Sequence, residues 1–235
     1  FEIFYELLKK HTEHPEKHVV VTTDHGSALF SFAQKNDFAT LTIPKTVGGR
    51  YSVFSPVGLY PLALLGVDVH SLIEGARSMR ERCLQEKIED NPAALLAAVH
   101  YYHSARGRNI ADMFLFSTDL ESIGKWYRQL VGESIGKEWN RDNTAQVFTG
   151  ITPTVSVGST DLHSVGQLYL GGPADKLTTI VTVDHVRPLA VPHLPDYERL
   201  VPHLQGKQLH TIMQAIEQGV MAAYSNAARP YCHIR

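Results

Sequence analysis

Apolar residues change their period several times along the first hundred positions, and each change predicts an element. Phe1, Phe4, Leu7 and Leu8 recur at helical spacing. The run "HVVVTTD" (18–24) is β-branched and closes on polar residues, as a buried strand does. "GSALFSFAQKN" (26–36) reads as a short helix and "FATLTIP" (38–44) as a second strand. Helix, strand, helix, strand, joined by links of a few residues, predicts a layered α/β unit with a parallel sheet. Helical stretches follow over 52–65, 68–87 and 92–105, the last with Asn91 at the N-cap and Pro92 at the first helical position.

A second α/β unit opens at "GRNIADMFLFS" (107–117), read as a strand. A helix is expected over 119–137, a loop-rich region over 138–158, and a helix over 158–172 with Ser159, Thr160 and Asp161 as N-cap candidates. A strand over 177–185, a Pro/His-rich loop over 188–203, a helix over 207–226 and a strand in "YCHIR" complete the pattern. No repeat of fixed period and no low-complexity segment interrupts it.

Composition narrows the classes. Apolar residues make up 43% and charged residues 20% of the 235, as in a globular protein with a real core. A net charge of −2 gives no sign of a nucleic-acid or polybasic membrane partner. No apolar run reaches the roughly 18 residues of a membrane span; "VGLYPLALLGV" (57–67) is too short. Two cysteines, Cys83 and Cys232, make no disulfide framework or zinc cluster, so a reducing cytoplasm is expected. The chain begins at Phe1 directly in a helical pattern and stops in a strand-like run, so it is read as a piece of a longer polypeptide.

Three constellations can carry chemistry. In "TVGGRYSVFSPVGL" (46–59) the glycines permit positive φ and close approach of a ligand, and Arg50 can bind phosphate or stabilise an oxyanion. The plain alternative is a turn whose arginine caps a nearby helix. In "GESIGKE" (132–138), Glu133 on an amphipathic helix, half-buried, would have its pKa raised toward that of a general base. The alternative is a solvated or paired carboxylate, with Lys137 four residues on. His163 would sit in the first turns of its helix, where the dipole favours a neutral, proton-accepting ring. Of the 13 histidines, His11, His14, His18, His193 and His203 read as surface residues. His100 and His103 share a helix face at metal-binding spacing without a third ligand, and a wet face is expected there. No P-loop, dinucleotide fingerprint or G-x-S-x-G elbow is present.

Taken together and in order, these segments are specific. "VGGRYSVFSPVGL" is very similar to the glycine-arginine signature of glucose-6-phosphate isomerases. "WYRQLVGESIGKE" resembles the second hallmark of that family in its bacterial form, and "STDLHSVGQ" the histidine-bearing segment after it. "TTDHGSALFSFAQKNDFATLTIP" also matches, ahead of the first.

The resemblance implies an α/β fold of three-layer sugar-isomerase domains with parallel sheets. On that reading 1–67 closes the first domain, 68–106 is a helical connection, and 107–235 is most of the second. It implies reversible isomerisation of glucose 6-phosphate and fructose 6-phosphate through ring opening and an enediol, in a homodimer, without metal or organic cofactor. Gly49, Arg50, Glu133 and His163 are then substrate-binding. Arg50 stabilises the enediolate, Glu133 is the acid/base glutamate, and His163 assists ring opening near the subunit boundary. The family's phosphate loop, expected before Phe1, and its C-terminal lysine are absent; Lys207 lies in another context and does not take the lysine's place. The 235-residue piece alone is therefore expected to be inactive. A fusion enzyme, for example with transaldolase, and a non-catalytic phosphosugar-binding domain are the competing readings. Arg50, Glu133 and His163 together argue against the latter, because a sensor needs no proton-transfer groups.

Overall fold

A computed structural model describes all residues except 185, 186 and 199. The chain forms two compact units, Phe1–Asn91 and Pro92–Arg235. The end of the strand expected at 177–185 lies outside the described residues, as does position 199 of the loop expected at 188–203.

In the first unit, α1 (Glu2–Leu8) leads through a 3₁₀ turn to β1 (Val20–Asp24), α2 (Ala28–Lys35) and β2 (Ala39–Ile43). The two strands pair in parallel, Val20 opposite Ala39. Ser27 caps α2 by accepting from the Phe30 N–H at 3.0 Å. Val21, Ala33 and Phe38 form the core, with Tyr5 packed against it. Tyr5, rather than the exposed Phe4 or Leu7, is the α1 residue that meets Phe38, ring centroids 5.2 Å apart.

The helix expected over 52–65 begins later. A 3₁₀ turn, Gly49–Phe54, comes first, and α3 (Pro56–Leu64) starts where Pro56 supplies the first helical φ and Ser55 accepts from the Val57 N–H at 3.3 Å. Gly58 sits over this join: a Cβ there would lie 2.2 Å from the Val53 carbonyl oxygen. Gly58→Ala is thus expected to destabilise the chain by about 1–3 kcal/mol, read as a lower urea midpoint. An unchanged midpoint would show that the turn yields at no cost. Helix α4 (Val69–Cys83) is capped by Asp68, which accepts from the His70 and Ser71 N–H groups at 3.1 Å.

The second unit opens with α5 (Pro92–Ser104). It continues through β3 (Ile110–Leu115), α6 (Glu121–Ile135), a hairpin of β4 (Lys137–Trp139) and β5 (Gln146–Thr149), and β6 (Thr152–Val157). Then come α7 (Gly166–Gly171), β7 (Lys176–Val181), α8 (Pro195–Glu198), α9 (Leu209–Asn226) and β8 (Tyr231–Ile234). The main sheet is parallel throughout, in the order β6-β3-β7-β8. Its middle strands are buried on both faces, as parallel strands under helices are. Phe114 and Ile180, both 0% exposed, centre a core closed by Met213, Ile216 and Val220 of α9.

Three expectations fail here. The region 138–158, read as loop, holds the hairpin and β6. Pro153 hid β6, because a proline in a central strand costs a ladder hydrogen bond; β6 is an edge strand, where that cost vanishes. The single helix expected over 158–172 divides into a 3₁₀ turn, Thr160–His163, and the separate α7. The loop 188–203 contains α8.

Candidate active site

Arg50 belongs to the first unit, beyond the carboxyl ends of β1 and β2, the usual ligand edge of an open parallel sheet. Two buried serines fasten its turn from beneath: Ser52 donates to the Gly49 carbonyl at 2.6 Å, and Ser55 to the Ser52 carbonyl at 2.6 Å. The half-buried guanidinium lies 5.0 Å from the centroid of the Tyr51 ring. Gly48 and Gly49 do not adopt positive φ; the positive-φ glycines are Gly26, Gly66, Gly107 and Gly206. What glycine supplies here is room, since a Cβ on Gly49 would meet nothing within 4 Å. The N-cap of α3 is Ser55.

Glu133 and His163 belong to the second unit. Helix α6 turns Gly124 to the sheet; Glu133 comes nine residues later, about half a turn around at ~100° per residue, and faces outward. It is exposed, not half-buried as expected, and its Oε1 accepts from Gln129 Nε2 at 3.1 Å. Lys137 lies in β4, past the end of α6, so the helical i,i+4 spacing to Glu133 does not apply.

His163 is exposed and ends a 3₁₀ turn, so the helix-dipole argument made for it does not hold. Its turn is held by Asp161, whose Oδ2 accepts from the Val157 N–H and Oδ1 from Ser164 Oγ, each at 2.7 Å. The two residues are not brought together within the unit. Helix α6 runs from the carboxyl edge of β3 back to the start of β6, which places Glu133 at the amino edge; His163 follows β6 at the carboxyl edge. The 15 residues of α6 alone span about 22 Å.

Of the histidines, His11, His14, His18, His193 and His203 are exposed. His100 is half-buried instead of wet, lining an apolar cavity of about 700 Å³ with Leu96, Tyr127 and Val131. Desolvation there, then the neighbouring His103, lowers its pKa. No three His, Cys, Asp or Glu side chains converge as a metal site among the described residues.

The sequence reading missed a buried carboxyl. Asp112, in the middle of β3 and 1% exposed, accepts at Oδ1 from Thr154 (2.6 Å), Ser156 (3.0 Å) and Tyr169 (3.0 Å). Oδ2 is buried with no partner among the described residues. Burial raises its pKa, against the lowering by the three hydroxyl donors. The folded chain thus holds this proton to higher pH than the unfolded one, and the stability it confers is lost as pH rises through the raised value. Asp112→Asn, neutral at every pH, is expected to remove that loss, so its urea midpoint gains on the parent between pH 4 and 7. Parallel midpoints would refute it.

The phosphoglucose isomerase family model matches residues 3–198. The glucose-6-phosphate isomerase of Carboxydothermus hydrogenoformans is 40% identical over 232 residues, covering 97% of this chain and 50% of that protein. That of Methanocaldococcus jannaschii is 40% identical over 185 residues, 78% of this chain and 44% of that protein. The chain thus spans about half the length of the curated relatives it matches. Among solved structures, a hypothetical protein from Thermus thermophilus superimposes with a TM-score of 0.90 at 31% identity, over 99% of this chain and 55% of that one. A glucose-6-phosphate isomerase from Chlamydia trachomatis gives 0.77 at 21%, over 94% and 41%, a likeness of fold.

Proposed function

The chain belongs to the phosphoglucose isomerase family, and we propose that the longer polypeptide containing it interconverts glucose 6-phosphate and fructose 6-phosphate. The observation that carries this reading is Arg50 on an open, serine-braced turn at a strand carboxyl edge. The relatives are glucose-6-phosphate isomerases alone, so a fused second activity is not needed.

His163 protonates the ring oxygen as the sugar opens. Glu133 takes the weakly acidic C2 proton of the open aldose and returns it to C1, while a hydroxyl proton moves between O1 and O2. Arg50 supplies a fixed cation beside the enediolate oxygen, the electrostatic contribution that usually dominates such a step. These groups meet the charge without metal or organic cofactor. Gly49 leaves space for the substrate beside Arg50.

The placement of Glu133 and His163 on opposite edges of one sheet supports a homodimer. One chain's second unit holds the two apart, and in this reading His163 of a second copy completes the site at the Glu133 edge. We read 1–67, 68–106 and 107–235 as the end of one sugar-isomerase domain, a helical connection and most of another, in a cytoplasmic protein.

The test is an assay of the full-length polypeptide with each sugar phosphate, coupled to detection of the other. Turnover in both directions is expected, and its absence in a folded full-length protein rejects the reading. The 235-residue chain alone, about half the length of those relatives, is expected to give none.

A further inference from the structure

A cavity of about 510 Å³ opens at the carboxyl edge of the four-stranded sheet, where the chain leaves β3, β6 and β7. From β3 the chain passes to β6 on one side and then to β7 on the other. This is the switch point of the sheet, where open α/β folds bind ligands. Arg50, Glu133 and His163 do not line it.

Ser117 enters from the end of β3, Ser159 from the end of β6, and Glu217 from α9. Neither serine spends its hydroxyl on capping the turn that follows it. Glu217 is 7% exposed, and its carboxylate accepts no hydrogen bond from the described residues. Its oxygens are not sealed from solvent, so a hydroxyl entering the cavity can donate to one of them. Leu209 and Met213 of α9 give the same cavity an apolar wall. Asp119 and Glu217 face Arg187 and His210 on the lining, so no excess of positive charge selects an anion.

Donors, acceptors and an apolar wall in one pocket match a molecule with hydroxyls around a C–H face. The size lies within the ~300–1,000 Å³ usual for small-molecule sites. We propose that this cavity binds a neutral sugar or other small polyol, at a site separate from the proton-transfer residues. The proposal does not depend on the isomerase reading.

The test titrates D-sorbitol, which has no carbonyl and cannot be isomerised, into the full-length polypeptide, following the Met213 methyl resonance. A saturable shift is expected. Glu217→Gln should weaken it about tenfold by replacing a charged acceptor, with isomerase turnover unchanged. Should that variant misfold, Ser159→Ala on the facing wall should weaken binding several-fold. A Met213 resonance that does not saturate overturns the proposal. So does sorbitol binding untouched by either substitution, or saturation by glucose 6-phosphate while sorbitol is silent.

Discussion

Full-length polypeptide carrying Glu133→Gln is expected to lose roughly 10²–10⁴-fold in turnover with nearly unchanged affinity for the sugar phosphate. The amide keeps the shape and the hydrogen-bonding reach of the carboxylate but cannot take a proton from carbon. Because Glu133 is exposed on the outer face of α6, the substitution leaves the sheet-facing side of the helix as it was. Loss of activity can therefore be read as loss of the base and not of the fold. The measurement is steady-state kinetics in both directions, with solvent-hydrogen exchange at C2 as a second readout. A base-deficient enzyme fails at exchange as well as at net conversion. Normal turnover by this variant would remove Glu133 from the mechanism.

The second large effect comes from mixing. Full-length Glu133→Gln and full-length His163→Ala should each be nearly inactive. Unfolded together and refolded at equal amounts, they are expected to recover about a quarter of parental activity, because half of the random dimers are hybrids and each hybrid holds one intact pair of residues. The expectation rests on topology: α6 carries Glu133 to the amino edge of the second unit's sheet, while the turn after β6 leaves His163 at the carboxyl edge. Recovery no greater than the sum of the separate variants would mean that each chain completes its own site, and the dimer reading would fall with it.

Much of the architecture was legible in the residues. The runs that became β1, β3 and β7 are β-branched or apolar enough to read as strands, and Pro92 marked the first helical position of α5. The hairpin of β4 and β5 was missed although a signal existed. Asn140 and Asn143 sit between two short strands, and Asn140 Oδ1 accepts from the Thr144 N–H at 2.9 Å as it closes the turn. Strand β6 was hidden by Pro153, whose tolerance depends on edge position, a property of the assembled sheet.

The site divides along the same line. That Arg50 follows a strand at its carboxyl end is a local fact, and the sequence carries it. Whether Glu133 is buried depends on the phase of α6 against the sheet, set by Gly124 nine residues earlier, where a Cβ would lie 2.6 Å from Val155. The Asp112 cluster draws its donors from β6 and α7, up to 57 residues away. No spacing rule reaches that far.

Pro153 has one more effect. It withholds an N–H from the outer side of β6, while β8 at the other end of the order presents a full row of donors and acceptors. Of the two edges, the one at β6 is thus the poorer partner for a further strand, a bias written into the sheet by a single ring.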